Sequence, residues 1–255
     1  MIEFAIANRV ATVVLNRPPA NAINLQWVAR FQAILDDLDK RDDWNVLHIR
    51  SALRLFSAGA DIKEMRAAFE SADGPAPLIA AVRDYQRLFA RIEALPQVTL
   101  AEIGGAAMGG GFELALSCDM RVVADEARIG LPEIRLGLLP GAGGTQRLTR
   151  LCGRAVAIRV IAGAEMVDGQ TAVQLGMAQW HFPASQLEEA AVQIARRYAD
   201  QPALAGRLAK GCIEAALDPT SAHGFDLEFE GSKTLLESAE TGALIARFLA
   251  AKAGN

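Results

Sequence analysis

Two β-rich runs open the chain, "IEFAI" and "VATVVLN", joined by "ANR", and they predict a pair of strands with a turn between them. The loop "NRPPANAIN" follows. Val28, Phe31, Leu35 and Leu38 then recur on one helical face and predict a helix over residues 25–40. "WNVLHIR" reads as the next strand, and "LFSAGADIKEM" as a strand end, a turn and a helix start. "SADGPAP" is polar and broken by proline, which predicts a mobile loop before a long helix over residues 78–95, ended by Pro96. "QVTLAEI" is a strand, a glycine cluster turns, residues 111–118 form a helix, and "MRVVA" is another strand.

After Gly141 the pattern becomes helical. Short helices are predicted over residues 145–151, 154–162 and 169–175. Ser185 and Glu188 have capping-box spacing ahead of a helix ending near Asp200. Further helices are expected over residues 202–217 and 237–252. The order, strands and helices first and helices alone later, predicts an α/β core over residues 1–195 and a C-terminal helical region over residues 196–255 that packs on another subunit. No short-period repeat or low-complexity tract interrupts it.

With 255 residues, 51% of them apolar and 22% charged, the chain can bury a sizeable core. No uninterrupted apolar run is long enough to span a bilayer, and no secretory signal is visible at the N-terminus. The expected location is cytoplasmic. A net charge of −4 does not favour nucleic-acid binding. Cys118, Cys152 and Cys212 are widely spaced and odd in number, which suggests reduced thiols. His48, His181 and His223 have no metal-ligand spacing, so no metal is expected. The nucleophile-elbow, P-loop and dinucleotide-binding glycine patterns are all missing.

Glu113 stands out inside "GGAAMGGGFELALSCD", a carboxylate in apolar surroundings beside a glycine-rich turn. Taken alone it reads as a first-turn helix glutamate. Glu133, in "RIGLPEIRLG", poses a similar puzzle and reads alone as a surface loop residue. Two carboxylates near one water can take a proton from it and deliver a proton elsewhere, with their pKa values set apart by environment. Gly109, Gly110 and Gly111 allow backbone N–H groups to approach a ligand at a helix start, where those groups have no internal partner. "SAGAD" is a second such turn.

"LFSAGADIKEM", "MGGGFELALSCD" and "GLPEIRLGLLPGAGGTQRLTR", in this order and spacing, resemble the enoyl-CoA hydratase/isomerase, or crotonase, family. The resemblance is strong to about Pro183 and weaker beyond. It implies a spiral of ββα units with a helical C-terminal region, assembled as a homotrimer or a dimer of trimers. Glu113 and Glu133 fall on the two glutamates that hold the water added across a trans-2-enoyl-CoA double bond. Ala60 and Gly110 fall on the two backbone donors to the thioester oxygen, and Gly141 on a backbone N–H that helps position the water. Ala58, Asp61, Ile62 and Lys63 fall on the segment lining the CoA adenine pocket. Arg17, Arg54, Lys63 and Arg66 are the basic residues nearest the CoA phosphates in motif terms.

The implied activity is hydration of enoyl-CoA thioesters in fatty-acid or related acyl-CoA degradation, with no cofactor beyond the CoA carried by the substrate. A different acyl-CoA reaction on the same fold, such as isomerisation or hydrolysis, is the alternative, although family isomerases commonly keep only the later glutamate. A non-catalytic RNA- or protein-binding member is a third reading that neither a basic surface nor a lost glutamate supports. Glu102, where the family commonly has a small residue, is expected to be a strand residue facing water or an arginine. Residues 67–78 match no family pattern, so the acyl chain length stays open.

Overall fold

Asn8 and Arg9 both take positive φ, 51° and 61°, and turn β1 (Ile2–Ala7) directly into antiparallel β2 (Val10–Leu15). This is the predicted hairpin, and its turn matches the strand twist. The computed structural model describes residues 1–72, 74–217 and 223–253.

Next along the chain come α1 (Leu25–Leu38), β3 (Val46–Ser51), α2 (Ile62–Glu70), α3 (Ala76–Glu93), β4 (Val98–Ile103), β5 (Ala107–Met108) and α4 (Gly110–Leu116). They are followed by β6 (Met120–Ala124), β7 (Ile129–Gly130), a 3₁₀ turn (Pro132–Leu136), α5 (Gly144–Ala157), α6 (Gly169–Gln174), β8 (Trp180–Phe182) and α7 (Ala184–Ala199). The main sheet has the order β1-β2-β3-β4-β6-β8. Beyond the hairpin, β2 and β3, β4 and β6, and β6 and β8 pair in parallel. Parallel neighbours need long crossovers, and the helices supply them.

A second, smaller layer runs alongside. β5 pairs with β7, and single bridges link Ile23 to Ala60, Ser57 to Ala107 and Ile129 to Val167. Each parallel strand of the main sheet up to β6 is thus followed by a short second-layer segment and then a helix. The repeat winds the chain into the predicted spiral.

The core lies between the sheet and the apolar faces of its helices. α1 buries Trp27, Val28, Phe31, Ile34, Leu35 and Leu38, and Asn24 caps it by accepting from Trp27 N–H at 2.9 Å. β4 is buried almost throughout, as a central parallel strand should be. Arg121 is also fully buried. Its guanidinium donates to the carbonyls of Cys118 at 2.7 Å, Met177 at 2.8 Å and Ala115 at 3.2 Å, which fixes the C-terminal end of α4.

Three local expectations differ from the structure. α3 starts at Ala76 rather than 78, because Pro77 fits the first helical turn, where an N–H would have no partner. Asp73, within the "SADGPAP" segment expected to be a mobile loop, lies outside the described residues. The Ser185–Glu188 capping box does not form: α7 already starts at Ala184, whose N–H donates to Glu126 at 3.2 Å, and Glu188 pairs with Arg50 at 2.7 Å. The helices expected over 145–151 and 154–162 form, with Gly153 at φ +79° marking the break, and the second runs into a π-helical turn over Ile158–Ala162.

The chain divides into two compact units. The first comprises Met1–Leu95 with Thr99–Ala199, and the second Pro96–Val98 with the chain from Asp200. In the second, α8 (Ala203–Ala215), α9 (His223–Leu236) and α10 (Ala239–Ala253) pack in sequence, and Lys210 Nζ donates to the Gln97 carbonyl at 3.1 Å. No described helix is long and apolar enough to cross a membrane. The three cysteines are free thiols, with Cys118 buried.

α4 packs directly on the "SAGAD" turn through Gly111, where a Cβ would lie 2.5 Å from the Ser57 carbonyl oxygen. Gly111→Ala is therefore expected to cost about 1–3 kcal/mol in urea unfolding. Gly211→Ala, inside α8 with open space around its Cα, is expected to stabilise by about 0.5–1 kcal/mol in the same measurement.

Candidate active site

Glu113 lies in the first turn of α4, whose start is formed by Gly109 at φ +54°. Only 3% of the residue is exposed. Its Oε1 accepts from Ala142 N–H at 2.8 Å and Gly144 N–H at 2.7 Å. These amides come from the "GAGGTQ" turn that opens α5, so two of the three recognised motifs meet at one oxygen. Burial pushes the Glu113 pKa up to about 7. Nearby Glu133 adds to the rise, while the Gly144 and Ala142 amides and Arg147 oppose it.

Glu133 sits in the 3₁₀ turn that Pro132 starts. Burial raises its pKa as well, against an opposing bond from its own backbone. Its Oε2 is buried and has no hydrogen-bond partner among the described residues. Gly109 is required beneath it, since a Cβ there would approach Glu133 Oε1 to 2.9 Å.

Both glutamates line one cavity of about 390 Å³. Ala60 and Gly110 line it too, and neither of their N–H groups donates to any described residue. The two backbones are pressed together: Gly59 has φ +88°, and a Cβ on it would lie 2.7 Å from the Met108 carbonyl oxygen and 3.1 Å from Gly110 N. Ile23 pins the same segment from the other side, accepting from Asp61 N–H at 3.0 Å and donating to the Gly59 carbonyl at 2.8 Å. The N–H of Gly141, another cavity residue, also donates to no described residue.

The structure thus gathers Glu113, Glu133, Ala60, Gly110, Gly141, Ala58 and Ile62 around one space. Asp61 and Lys63 are elsewhere. Asp61 caps α2, accepting from Lys63 and Glu64 N–H, and pairs with Arg17 Nη2 at 2.9 Å. Burial works against its charge, but Arg17 and the two amides outweigh this and hold its pKa below the usual carboxylate range. Lys63 is exposed beside Arg66 in a shallow depression on α2. Arg17 is committed to Asp61 and the Ala22 carbonyl, and Arg54 is exposed. Glu102 corrects expectation: it faces neither water nor arginine, but is buried with Oε2 2.9 Å from His48 Nε2, away from the cavity. Among the described residues no cluster of His, Cys, Asp or Glu is arranged to hold a metal.

The cavity walls were not legible as a site. Met65 and Phe69 of α2, and Leu78, Ile79 and Val82 of α3, face it. Tyr85 joins them, its hydroxyl donating to the Ile23 carbonyl at 3.3 Å and its pKa pushed up to about 12, mainly by burial. Their one signal was an apolar stripe on α3 beside the core stripe of Ala81, Leu88, Phe89 and Ile92.

The model of the enoyl-CoA hydratase/isomerase family matches residues 5–250. The chain belongs to the enoyl-CoA hydratase/isomerase family. It is 35% identical over 235 residues to "Probable enoyl-CoA hydratase 2, mitochondrial" of Arabidopsis thaliana, covering 89% of this chain and 76% of that one. It is 37% identical to the 2,3-dehydroadipyl-CoA hydratase of Escherichia coli, with 80% and 78% covered. An enoyl-CoA hydratase crystal structure from Bacillus anthracis superposes with a TM-score of 0.90 at 33% identity, covering 97% of this chain and 95% of that one. The spiral described above is therefore the fold of this family.

Because burial raises the folded-state pKa of Glu113, the residue costs stability progressively as pH rises from 4.5 towards about 7. Gln at this position keeps an oxygen for the two amides but carries no charge. Urea unfolding at pH 5 and pH 8 is expected to show wild type losing up to about 3 kcal/mol more across this interval than Glu113→Gln. Equal losses would show that the carboxylate is not desolvated as described.

Proposed function

We propose that this family member is an enoyl-CoA hydratase, adding water across the double bond of a trans-2-enoyl-CoA to give a 3-hydroxyacyl-CoA. The observation that carries this reading is the pairing, around one apolar cavity, of a buried carboxylate, Glu113, and a half-buried one, Glu133, with two backbone N–H groups left without partners.

Addition of water to an α,β-unsaturated thioester builds negative charge on the thioester oxygen as an enolate forms. Ala60 and Gly110 N–H are suited to receive that oxygen, and loss of one such donor costs roughly 10²–10³ in rate. Glu113 and Glu133 hold the water between them, with Gly141 N–H assisting. One carboxylate takes the proton as oxygen attacks C3, and the other delivers a proton to C2. Raised pKa values suit this work, because a proton can be both held and released near neutral pH. The low dielectric of the cavity strengthens each of these interactions. The steps require no metal and no cofactor beyond the CoA of the substrate.

In this reading Ala58 and Ile62 of the cavity lining meet the CoA, and exposed Lys63 beside Ile62 supplies positive charge for its phosphates, Arg66 being paired with Glu70 at 3.1 Å. The acyl chain runs between α2 and α3. Among the described residues the walls there carry no cation, and the charged residues lining the cavity are both acidic. An uncharged acyl group is therefore the substrate. The exposed apolar side chains of the C-terminal helices, including Phe225, Phe229 and Leu236, support assembly as a homotrimer or a dimer of trimers.

Loss of the enoyl-thioester ultraviolet absorbance tests the reading directly, with crotonyl-CoA and a longer trans-2-enoyl-CoA as substrates. Glu113→Gln and Glu133→Gln are each expected to lower kcat by about 10²–10⁴ with CoA-ester binding retained. Wild-type turnover in both would remove the two-carboxylate mechanism. 2-Hexenoyl-CoA and 2,3-dehydroadipyl-CoA differ by a terminal carboxylate, and kcat/KM is expected to favour the former by at least about 100-fold, as for an unpaired charge placed in an apolar wall. Equal values would mean that the acyl chain lies elsewhere.

A further inference from the structure

The two amides that hold Glu113 are themselves held from behind. In a trans peptide the C=O and N–H of one plane point in opposite directions, so gripping a carbonyl aims the next residue's N–H. Gln86 Nε2, on α3, donates to the Gly141 carbonyl at 2.6 Å, and the opposite end of that plane is Ala142 N–H, which donates to Glu113. Arg83 Nη1 donates to Gln86 Oε1 at 2.9 Å, which orients the Gln86 amide with its NH₂ towards Gly141.

The next two planes are held by Arg147. Its side-chain Nη1 donates to the Ala142 carbonyl at 2.9 Å, while its main-chain N–H makes the first i→i−4 helix bond to the Gly143 carbonyl at 2.9 Å, a bond any residue but proline would keep. The far end of the Gly143 plane is Gly144 N–H, the second donor to Glu113. Glu93 on α3 fixes the other arm of the guanidinium, Nη2 to Oε2 at 2.7 Å. Gly143 takes φ +108°, and a Cβ there would collide with Arg147 Nη1, so glycine admits the guanidinium beneath the turn.

We propose that Gln86 and Arg147 are positioning residues for Glu113: with Glu93 they clamp the 141–144 turn so that Ala142 and Gly144 N–H are aimed at one carboxylate oxygen. Neither side chain lines the cavity. The clamp sets how strongly the charged form of Glu113 is hydrogen-bonded, and so where it ionises. The other charged or titratable groups near Glu113 are Glu133 from the 3₁₀ turn, Arg147 from α5, Tyr85 in the same cavity from α3, and Arg121 of β6 at the far end of α4. β5 contributes none.

The test is the ionisation midpoint of Glu113, read by infrared titration of the carboxyl band that disappears in Glu113→Gln. Gln86→Met removes one donor with little change in volume and leaves every charge in place. It is expected to raise the midpoint by about one pH unit. Arg147→Met is expected to raise it further, and Arg147→Lys, which keeps the charge but not the fork, by an intermediate amount. An unmoved midpoint in folded Gln86→Met overturns the proposal, whether or not Arg147→Met folds. The kinetic arm rests on the hydratase reading: the limb of the pH–kcat profile that reports Glu113 moves up with the midpoint, while KM changes less than about twofold. A wild type that hydrates no enoyl thioester would end the hydratase reading, yet the infrared midpoints would still decide the clamp.

Discussion

A carboxylate kept dry without a basic side chain bonded to it is the constraint around which the first unit is organised. Glu113 receives its hydrogen bonds from two backbone amides rather than from a guanidinium or ammonium group. An ion pair would satisfy the charge but also occupy the carboxylate and depress its pKa. Amides stabilise the anion only partly, which leaves Glu113 near the pH at which it can exchange a proton. That choice dictates much of the surrounding geometry. α4 must approach the "SAGAD" turn through a glycine, Arg121 must gather the carbonyls at its far end, and the 141–144 turn must present two N–H groups to one oxygen.

Those requirements are local, and this is why so much of the site was legible in the sequence. Glycines at 59, 109 and 143 stand where positive φ is needed, and they form part of the motifs that carry the family resemblance. The two N–H groups at Ala60 and Gly110 that donate to no described residue lie in the same motifs, and a main-chain N–H depends on the path of the chain and not on its side chain. The fold was legible for a related reason. Parallel strands buried on both faces are short apolar runs, and the helices between them keep a clear apolar face, as in Phe31, Leu35 and Leu38 of α1.

What sequence reasoning missed depends on contacts between distant segments. Glu102 was expected to face water or an arginine, yet it is buried opposite His48, because β4 is central and has no solvent face. Nothing in the sequence marks Gln86, Glu93 and Arg147, because the contacts that tie α3 to the 141–144 turn, Gln86 to the Gly141 carbonyl and Glu93 to Arg147, join residues more than fifty positions apart. Asp61 sits in a recognised motif, but its side chain is spent on capping α2 and on Arg17. α9 went unpredicted, as its two glycines and scattered charges, "HGFDLEFEGSKTLL", blur the apolar face.

α2 buries none of its residues, although Ile62, Met65 and Phe69 form one wall of the cavity. Side chains that contribute little to the core can be exchanged with little penalty to folding. The machinery on α4 and the 141–144 turn has no such latitude, since its glycines and amides are fixed by close backbone contact. Mutational drift in a lineage carrying this scaffold would therefore accumulate along α2, so that gene duplicates could diverge in the acyl groups they accept while inheriting the same chemistry unchanged.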